Sequence, residues 1–559
     1  MQITTAAEAA SRDADAIASG IHSWTLMHAA GTAAGEFVAT VAHAVDAKVV
    51  LVWAGTGNNG GDAYVVATHL LTHSTIPVVL NETGPPRTDD ATRAREAYVK
   101  ARETAPPAPR MMTDTDQTQF VLVDGLLGTG QHGALRAPER ALTAHVSSFG
   151  AKGGIVVALD VPTGVNATTG EIVEDAVRAD YTLSFGTMKR AHVLQREQCG
   201  EIIVFDIGLG AFANKDDGAW TLVDAAMLRT RVPSISWEAH KGTRGRIAIV
   251  GGAPGMAGAV VLASDAALHS GAGLVFAYVA AESVLPVQIN VPQAMAHPVS
   301  KDTLREQLSG VHAVVVGPGF GRGAQSKALL DALLETLINE SPTVPLVLDA
   351  DALTLIGTDA VRLKSLARAR QVVCTPHVGE FARLLGKPAA ATLVDRIAQA
   401  QELAARTGCT ILLKGTPTVV VSPKADGAMV VARGTPVLAT GGSGDLLSGM
   451  IGTLLAQGAR GADAAAIAAW VHGRAAELAT DRAGAVRGVT LGEVLTAMPN
   501  AWREIAARPA PAPLPSPSPS PLPSPSPSRE RLVATAHAAS TNHSVILAQL
   551  PRVWSDPNT

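Results

Sequence analysis

The sequence predicts two consecutive α/β domains, each built on a mainly parallel sheet, followed by a tail with no core of its own. Three observations predict this. Short β-branched runs alternate with longer helical stretches through most of the chain. The runs are continuously apolar, as strands buried on both faces of a parallel sheet are. After "AWREIAAR" the composition changes abruptly to "PAPAPLPSPSPSPLPSPSPS", which cannot bury a core. A chain of 559 residues also exceeds one ordinary core and suits two or three domains.

Taken in order, the first domain (1–225) shows the strands "KVVLVWAG", "TIPVVLNE", "FVLVDGLLG", "GIVVALDVPTG", "DYTLSFG" and "EIIVFDIG". The segment "GAWTLVDAAMLRTRVPSISW" lacks a strand rhythm, so the boundary is placed there. The second domain (226–508) opens near "HKGTRGRIAIVGG" and continues with "GLVFAYVA", "VHAVVVGPG", "PLVLDADAL", "QVVCTPH", "CTILLKG" and "TPTVVVS". Residues 509–528 form the Pro/Ser linker, an extended spacer of about 3.1 Å per residue. The remainder, 529–559, is expected to be a disordered end; its one apolar patch, "SVILAQL", has a docking peptide as the alternative reading.

Composition excludes several classes. Hydrophobic residues make up 47% and charged residues 17%, which suits globular domains. A net charge of −4 leaves no basic excess for nucleic acid. Cys199, Cys374 and Cys409 show no metal-finger spacing and read as core thiols in a reducing compartment. No apolar run approaches the roughly 18 residues of a membrane helix, and a cytoplasmic protein is expected.

Two glycine-rich stretches carry the chemistry. In "LATGGSGDLLSGM" a glycine turn runs into Asp445 and then into a helix. The N–H groups of Gly441, Gly442, Ser443 and Gly444 suit an anion, and Asp445 suits a base for an attacking hydroxyl. In "VVLVWAGTGNNGGDAYVVATHLL" the turn follows a parallel strand, the edge where open α/β sheets bind ligands. It offers Asn58, Asn59 and Asp62, but no P-loop lysine. Two further strand ends present Asp124 in "FVLVDGLLGTGQHGA" and Asp160 and Thr163 in "IVVALDVPTGVN". Asn59, Asp124 and Thr163 are hard oxygen donors from three neighbouring strands, a set for a hard cation rather than zinc.

Together, "SRDADAIASGIHSWTLMHAAG", "GTGNNGGDAY", "VDGLLGTG", "LDVPTG" and "SFGTMKR" resemble the NAD(P)H-hydrate epimerases. The pieces "HKGTRGRIAIVGGAPGMAGA", "VVVGPGFG", "LDADAL", "CTPHVGEFARLLG", "LLKGTPTVVV" and "TGGSGDLLSGM" resemble the ADP-dependent NAD(P)H-hydrate dehydratases, relatives of ribokinases. The resemblance spans about residues 5 to 505. It implies a Rossmann-like three-layer α/β/α domain followed by a ribokinase-like α/β domain, and it implies two activities: an isomerase that exchanges the hydroxyl epimers of hydrated NADH or NADPH, and a lyase that dehydrates the S epimer with ADP, leaving AMP and phosphate.

The same resemblance implies the site residues. In the first domain the substrate lies on Asn58, Asn59, Gly60, Gly61 and Asp62, on Gly128, Thr129, Gly130, Gln131, His132, Gly133 and Ala134, and on Asp160. K⁺ is implied at Asn59, Asp124 and Thr163. Lys189 matches a lysine on the phosphate side, and Asp160 is the favoured acid–base carboxylate. In the second domain Ala259, Gly319, His377 and Asp445 take the substrate, with Asp445 catalytic. Lys414, Gly415, Thr416, Pro417, Thr418 and Gly444 take the nucleotide, and Glu380 is the candidate for Mg²⁺. The expected partners are hydrated cofactor, ADP and further copies of the chain, with neither nucleic acid nor membrane.

Three departures from the family pattern stand out. Ala63 follows "NNGGD" where the family has glycine, which would be costly if that backbone needed positive φ. The approach to Asp445 reads "GTPVLATGGSGD", and Gln293 stands in an acidic position. The alternative reading is a ribokinase-type small-molecule kinase with a non-catalytic N-terminal binding domain.

Overall fold

The computed structural model describes residues 1–106, 120–151, 154–212, 220–341, 343–424, 427–507 and 546–551. The chain divides into two units, Met1–Asp216 with Ala510–Pro557, and Asp217–Pro509. The expected boundary at 225/226 falls within the short helix Ala225–Arg229.

Every apolar run quoted for the first domain is a strand. In chain order the strands are β1 (Gln2–Thr4), β2 (Val49–Ala54), β3 (Val78–Glu82), β4 (Phe120–Gly125), β5 (Ile155–Leu159), β6 (Tyr181–Phe185), β7 (Met188–Lys189) and β8 (Glu201–Phe205). The main sheet runs β8-β6-β5-β4-β2-β3 and is parallel throughout. From β2 the chain goes first to β3 on one side and later to β4 on the other. The strand order therefore reverses between β2 and β4, and an open sheet leaves its ligand crevice beyond the strand ends at that point. Val50, Val52, Val121, Val123, Val157 and Leu159 are buried in the sheet core, which is why the strands read as continuous apolar runs. β1 and β7 form a short parallel pair that periodicity did not reveal.

The second unit repeats this logic. Its strands are β9 (Trp220–Leu222), β10 (Arg246–Val250), β11 (Leu274–Val279), β12 (Ala294–Pro298), β13 (Ala313–Val316), β14 (Leu346–Leu348), β15 (Val372–Cys374), β16 (Thr410–Leu413), β17 (Thr418–Val421) and β18 (Ala428–Val431). Their order is β12-β11-β10-β13-β14-β15-β16-β17-β18-β9, with β17 antiparallel to both its neighbours. Here the order reverses between β10 and β13. The helices Ser443–Ala456 and Gly461–Ala483 are almost wholly buried and supply much of the core, including Trp470. The segment read as lacking strand rhythm contributes β9, which is too short to show a period. Among the described residues no helix is long and apolar enough to cross a membrane.

The tail differs from expectation. Within the stretch expected to be disordered, Ile546–Leu550 forms a strand, β19, paired antiparallel to β8. The Pro/Ser linker lies outside the described residues.

Candidate active sites

In the first unit the residues expected at the ligand edge fall at or just beyond the carboxyl ends of β2, β4 and β5. Asn58 to Asp62 form the first turn of the helix that follows β2. Asp124, next to last in β4, is fully buried, and Thr163 lies just beyond β5. Thr163 donates its hydroxyl hydrogen to Asp124 Oδ1 (2.7 Å) and its backbone N–H to Oδ2 (2.8 Å). Leu127 joins them to Asn59: its N–H donates to the Thr163 hydroxyl (3.1 Å), and its carbonyl accepts from Asn59 Nδ2 (3.0 Å). Asn59 Oδ1 is buried without a partner. Burial pushes the Asp124 carboxyl up to about 6, against the bonds from Thr163 and Leu126.

Asp160 occupies the same edge at φ 64°, a left-handed conformation unusual for a non-glycine residue. Its carboxylate accepts from the buried Lys189 ammonium, which also donates to Ser184 Oγ (3.0 Å) and to the carbonyls of Phe185 and Thr187 (3.2 Å each). Behind it His192 is held as one neutral tautomer. Lys189 N–H donates to Nδ1 (3.1 Å), so Nε2 carries the proton and donates to the Asp160 carbonyl (2.8 Å). Burial and the Lys189 charge push the His192 pKa down to about 4. The Asp62 carboxyl is raised well above the usual range by burial, then by the charges of Asp160 and Asp13, with Lys189 opposing. Gln131 accepts from Gly164 N–H (2.7 Å), tying the 128–134 loop to the β5 end. Asn58 accepts from the Thr88 hydroxyl (2.8 Å).

A separate cavity of about 470 Å³ lies among the helices of this unit, lined by Trp24, His28, His69 and His73 among others. It contains none of the matched site residues.

In the second unit, Gly442 caps the helix Ser443–Ala456 at φ 95°, where a side chain would be strained. No side chain caps this helix; in its first turn Ser443 N–H donates to Thr440 O (3.2 Å) and Asp445 N–H to Gly442 O (3.0 Å), and Asp445 lies within that turn. Burial, then the charge of Asp349, raises the Asp445 carboxyl to about 7, with Lys414 opposing and Asp351 adding. Lys414, just after β16, lies 2.6 Å from Asp349 Oδ1. Asp349 Oδ2 is buried and unpartnered. Asp351 accepts from Arg322 (2.6 Å) and from Gly321 N–H (2.9 Å).

His377 caps the helix Val378–Leu385. Its Nδ1 accepts from Gly379 N–H (3.0 Å), and its Nε2 faces Glu380 Oε1 at 3.3 Å. Glu380 Oε2 accepts from His377 N–H (3.0 Å), so both carboxylate oxygens serve His377. Gly319 (φ 54°) packs where a Cβ would lie 2.7 Å from Met256 O and 3.0 Å from Ala259 Cβ. Ala259 and Gly319 thus meet at the second sheet's reversal point. Beneath the first turn, Ser443 Oγ lies 3.3 Å from Nε2 of the buried His472.

The family model described as YjeF-related protein N-terminus matches residues 23–191, and that described as NAD(P)H-hydrate dehydratase matches residues 247–500. The chain is 34% identical over 475 residues to the bifunctional NAD(P)H-hydrate repair enzyme of Coxiella burnetii, covering 84% of this chain and 93% of that one. The chain belongs to the bifunctional NAD(P)H-hydrate repair enzyme family. The Escherichia coli enzyme of the same description is 34% identical over 483 residues (86% and 89% covered). That of Salinibacter ruber is 36% identical over 493 residues (82% and 88%).

The departures from the family pattern can now be placed within this repair-enzyme fold. Ala63 lies inside the helix Asn58–His73 and is not among the positive-φ residues, so its methyl brings no backbone strain. Gly125 makes the room, since a Cβ there would meet Ala63 Cβ at 2.5 Å. Gln293 is exposed in a turn before β12. The "GTPVLAT" approach is held by Glu477, which accepts from Gly434 N–H (2.9 Å) and pairs with Arg433 and Arg474 (3.0 Å each). Asp349, Asp351, Arg322, His192 and His472 had no role in the sequence reading. "LDADAL" was the one available signal, because two acids close a strand there.

Proposed function

We propose that this chain repairs hydrated NADH and NADPH. The first unit exchanges the two hydroxyl epimers, and the second dehydrates the S epimer at the expense of ADP. One observation carries the reading: the residues matched to each half of the family gather along the carboxyl ends of neighbouring strands of its own sheet. A kinase with a merely binding N-terminal domain gives no reason for Asn59, Asp62, Asp124, Asp160, Thr163 and Lys189 to persist together.

For the dehydratase, Asp445 takes the proton of the substrate hydroxyl, whose oxygen attacks the terminal phosphorus of ADP as AMP departs. The N-terminus of the helix Ser443–Ala456 at Gly444, with Lys414 beside it, faces the charge that develops on the phosphoryl oxygens. Phosphate then leaves with the C–O electron pair, the ring nitrogen's lone pair fills the vacancy, and loss of a proton from the neighbouring ring carbon restores the double bond. A carboxyl raised to about 7 is suited to taking a proton at neutral pH. His377 and the close Ala259–Gly319 backbone are placed to hold the ring. Mg²⁺ would enter with the nucleotide phosphates and neutralise their charge. Glu380, with both oxygens taken by His377, fits an orienting role better than a metal ligand.

For the epimerase, the ring nitrogen expels hydroxide and water re-enters from either face. Asp160 hands over and recovers the proton, oriented by Lys189 and His192. Asn59, Asp124 and Thr163 fit K⁺: all are hard oxygen donors, and Asn59 Oδ1 is a buried oxygen lacking a partner. The ion would supply a fixed positive charge and order the 128–134 loop. The three cysteines are buried thiols, which supports a reducing, cytoplasmic setting.

The test is recovery of the reduced ring's absorbance at 340 nm from separated epimers. The S epimer should recover with ADP alone, and the R epimer should recover at a rate above spontaneous exchange. Turnover of neither epimer, or accumulation of a stable phosphorylated alcohol, would overturn the reading.

A further inference from the structure

The strand β8, "EIIVF", is buried along its whole length, yet among the described residues β6 is its only parallel neighbour. An apolar strand with an open edge presents unpaired N–H and C=O groups and invites another chain. Here β19 covers that edge. Its register sets Ile546 against Phe205, Ala548 against Val204, Gln549 against Ile203 and Leu550 against Ile202, with a bulge between Ile546 and Ala548. Leu550 is only 3% exposed, and Ile546 packs against the sheet core that holds Phe205.

Side chains fix the ends of the pairing. Gln549 donates its amide to Glu201, and Arg196 donates to the carbonyl of Pro551. Pro551 has no N–H to extend the ladder, so the strand stops there. The family models end at residue 500, so β19 lies beyond what they match.

We propose that the β8 edge is a binding site for a short extended apolar peptide, and that its occupant is this chain's own segment Ile546–Leu550, delivered by the Pro/Ser linker. Strand addition of this kind takes affinity from main-chain hydrogen bonds and selectivity from a few side-chain pockets. Five residues bury too little for tight binding as a free peptide. Covalent attachment compensates, since it makes the contact intramolecular, with an effective concentration on the order of millimolar. The edge is thus closed in cis and kept from pairing with other strands.

The experiment uses the full chain and two tail variants. Leu550→Asp places a charge at the buried end, and Ala548→Pro puts a residue that disfavours strand pairing opposite Val204 without adding charge. Unchanged epimerase and dehydratase rates would report that the body is folded. Hydrogen exchange at the amides of 202–205 should be at least about tenfold faster in both variants than in the unaltered chain. A fluorescent peptide of residues 543–553 should bind the variants at least about tenfold more tightly than the unaltered chain, whose own tail competes. Equal exchange in all three proteins, or a peptide that binds none of them, would overturn the proposal. Protection of 202–205 should also persist on hundred-fold dilution of the protein. Its loss would show the strand to come from a second copy and would overturn closure in cis.

Discussion

Lys414 Nζ lies 2.6 Å from Asp349 Oδ1, and Asp349 is buried with its second oxygen unpartnered. The pair stands beside the first turn of the helix Ser443–Ala456, where a Cβ at Gly444 would meet the same ammonium at 3.0 Å. Asp349 therefore does two things. It holds Lys414 where phosphate would arrive, and its charge raises the Asp445 carboxyl. The dehydratase kcat/KM should rise with pH through a midpoint of about 7 as Asp445 ionises. Asp349→Asn removes a negative neighbour, so that midpoint should move to lower pH while KM for ADP rises. A profile that stays in place would show that Asp349 does not act on Asp445.

Asp445→Asn tests the base directly. The amide cannot accept the proton, and turnover with ADP should fall about 10²–10⁴-fold, while epimerisation in the same chain is untouched. Stability supplies an independent readout. A carboxyl raised in the folded state from 3.8 to about 7 becomes costlier to keep ionised as pH climbs through that window. The asparagine variant should therefore gain melting temperature at pH 8 and gain little or none near pH 4. Near-normal turnover would refute the assignment of Asp445 as base.

Thr163→Val keeps the shape of the side chain but removes the hydroxyl that binds Asp124 and receives Leu127 N–H. The proposed cation set then loses one oxygen, and the Leu127 turn that positions Asn59 loosens. Epimerisation should need more KCl for half-maximal rate, by about tenfold, a change of about 1.4 kcal/mol. Matched NaCl controls separate this from ionic strength. An unaltered KCl dependence would remove Thr163 from the set.

What was legible in the sequence follows from what periodicity and local motifs record. Runs such as "VVLVWA" and "IVVAL" announce buried parallel strands, and the residues at their ends fall on one edge because the strands are parallel. Asn59, Asp124 and Thr163 were therefore readable as a group before any fold was known. Asp349 was not, because its partner Lys414 lies two strands further along the chain and the pairing depends on how the strands are ordered. Ala63 looked costly only while its backbone was unknown. β19 was hidden by its setting: five residues after a long Pro/Ser stretch read as a loose end until the bare edge of β8 is seen.

Truncation after residue 508 should leave both activities within about twofold, since the pairing and bonds described for this segment run to β8, Glu201 and Arg196, none of them a site residue. It should not leave stability unchanged, because Leu550 loses its burial and β8 its outer ladder. Losing one buried leucine costs roughly 2–3 kcal/mol, so the first unit should melt earlier and the truncated protein should aggregate at lower concentration. Identical melting of the two proteins would show the strand to be energetically idle.

The epimerase site rests on a buried charge pair, and its logic can be separated by two substitutions. Lys189 is 3% exposed at its side chain and Asp160 15%, so neither charge is well solvated alone. Lys189→Met leaves Asp160 near Asp62 and Asp13 with no cation between them, and breaking such a pair costs about 3–5 kcal/mol. Adding Asp160→Asn removes the stranded charge and should restore most of the lost stability. Activity should behave oppositely, because the double variant lacks both the carboxylate that moves the proton and the ammonium that orients it. The expected pattern is a folded double variant that dehydrates the S epimer at the normal rate with ADP yet leaves the R epimer to spontaneous exchange. If the double variant still epimerised at a rate near that of the unaltered chain, the proton would have to travel through Asp62, and Asp160 would be a structural partner of Lys189 alone.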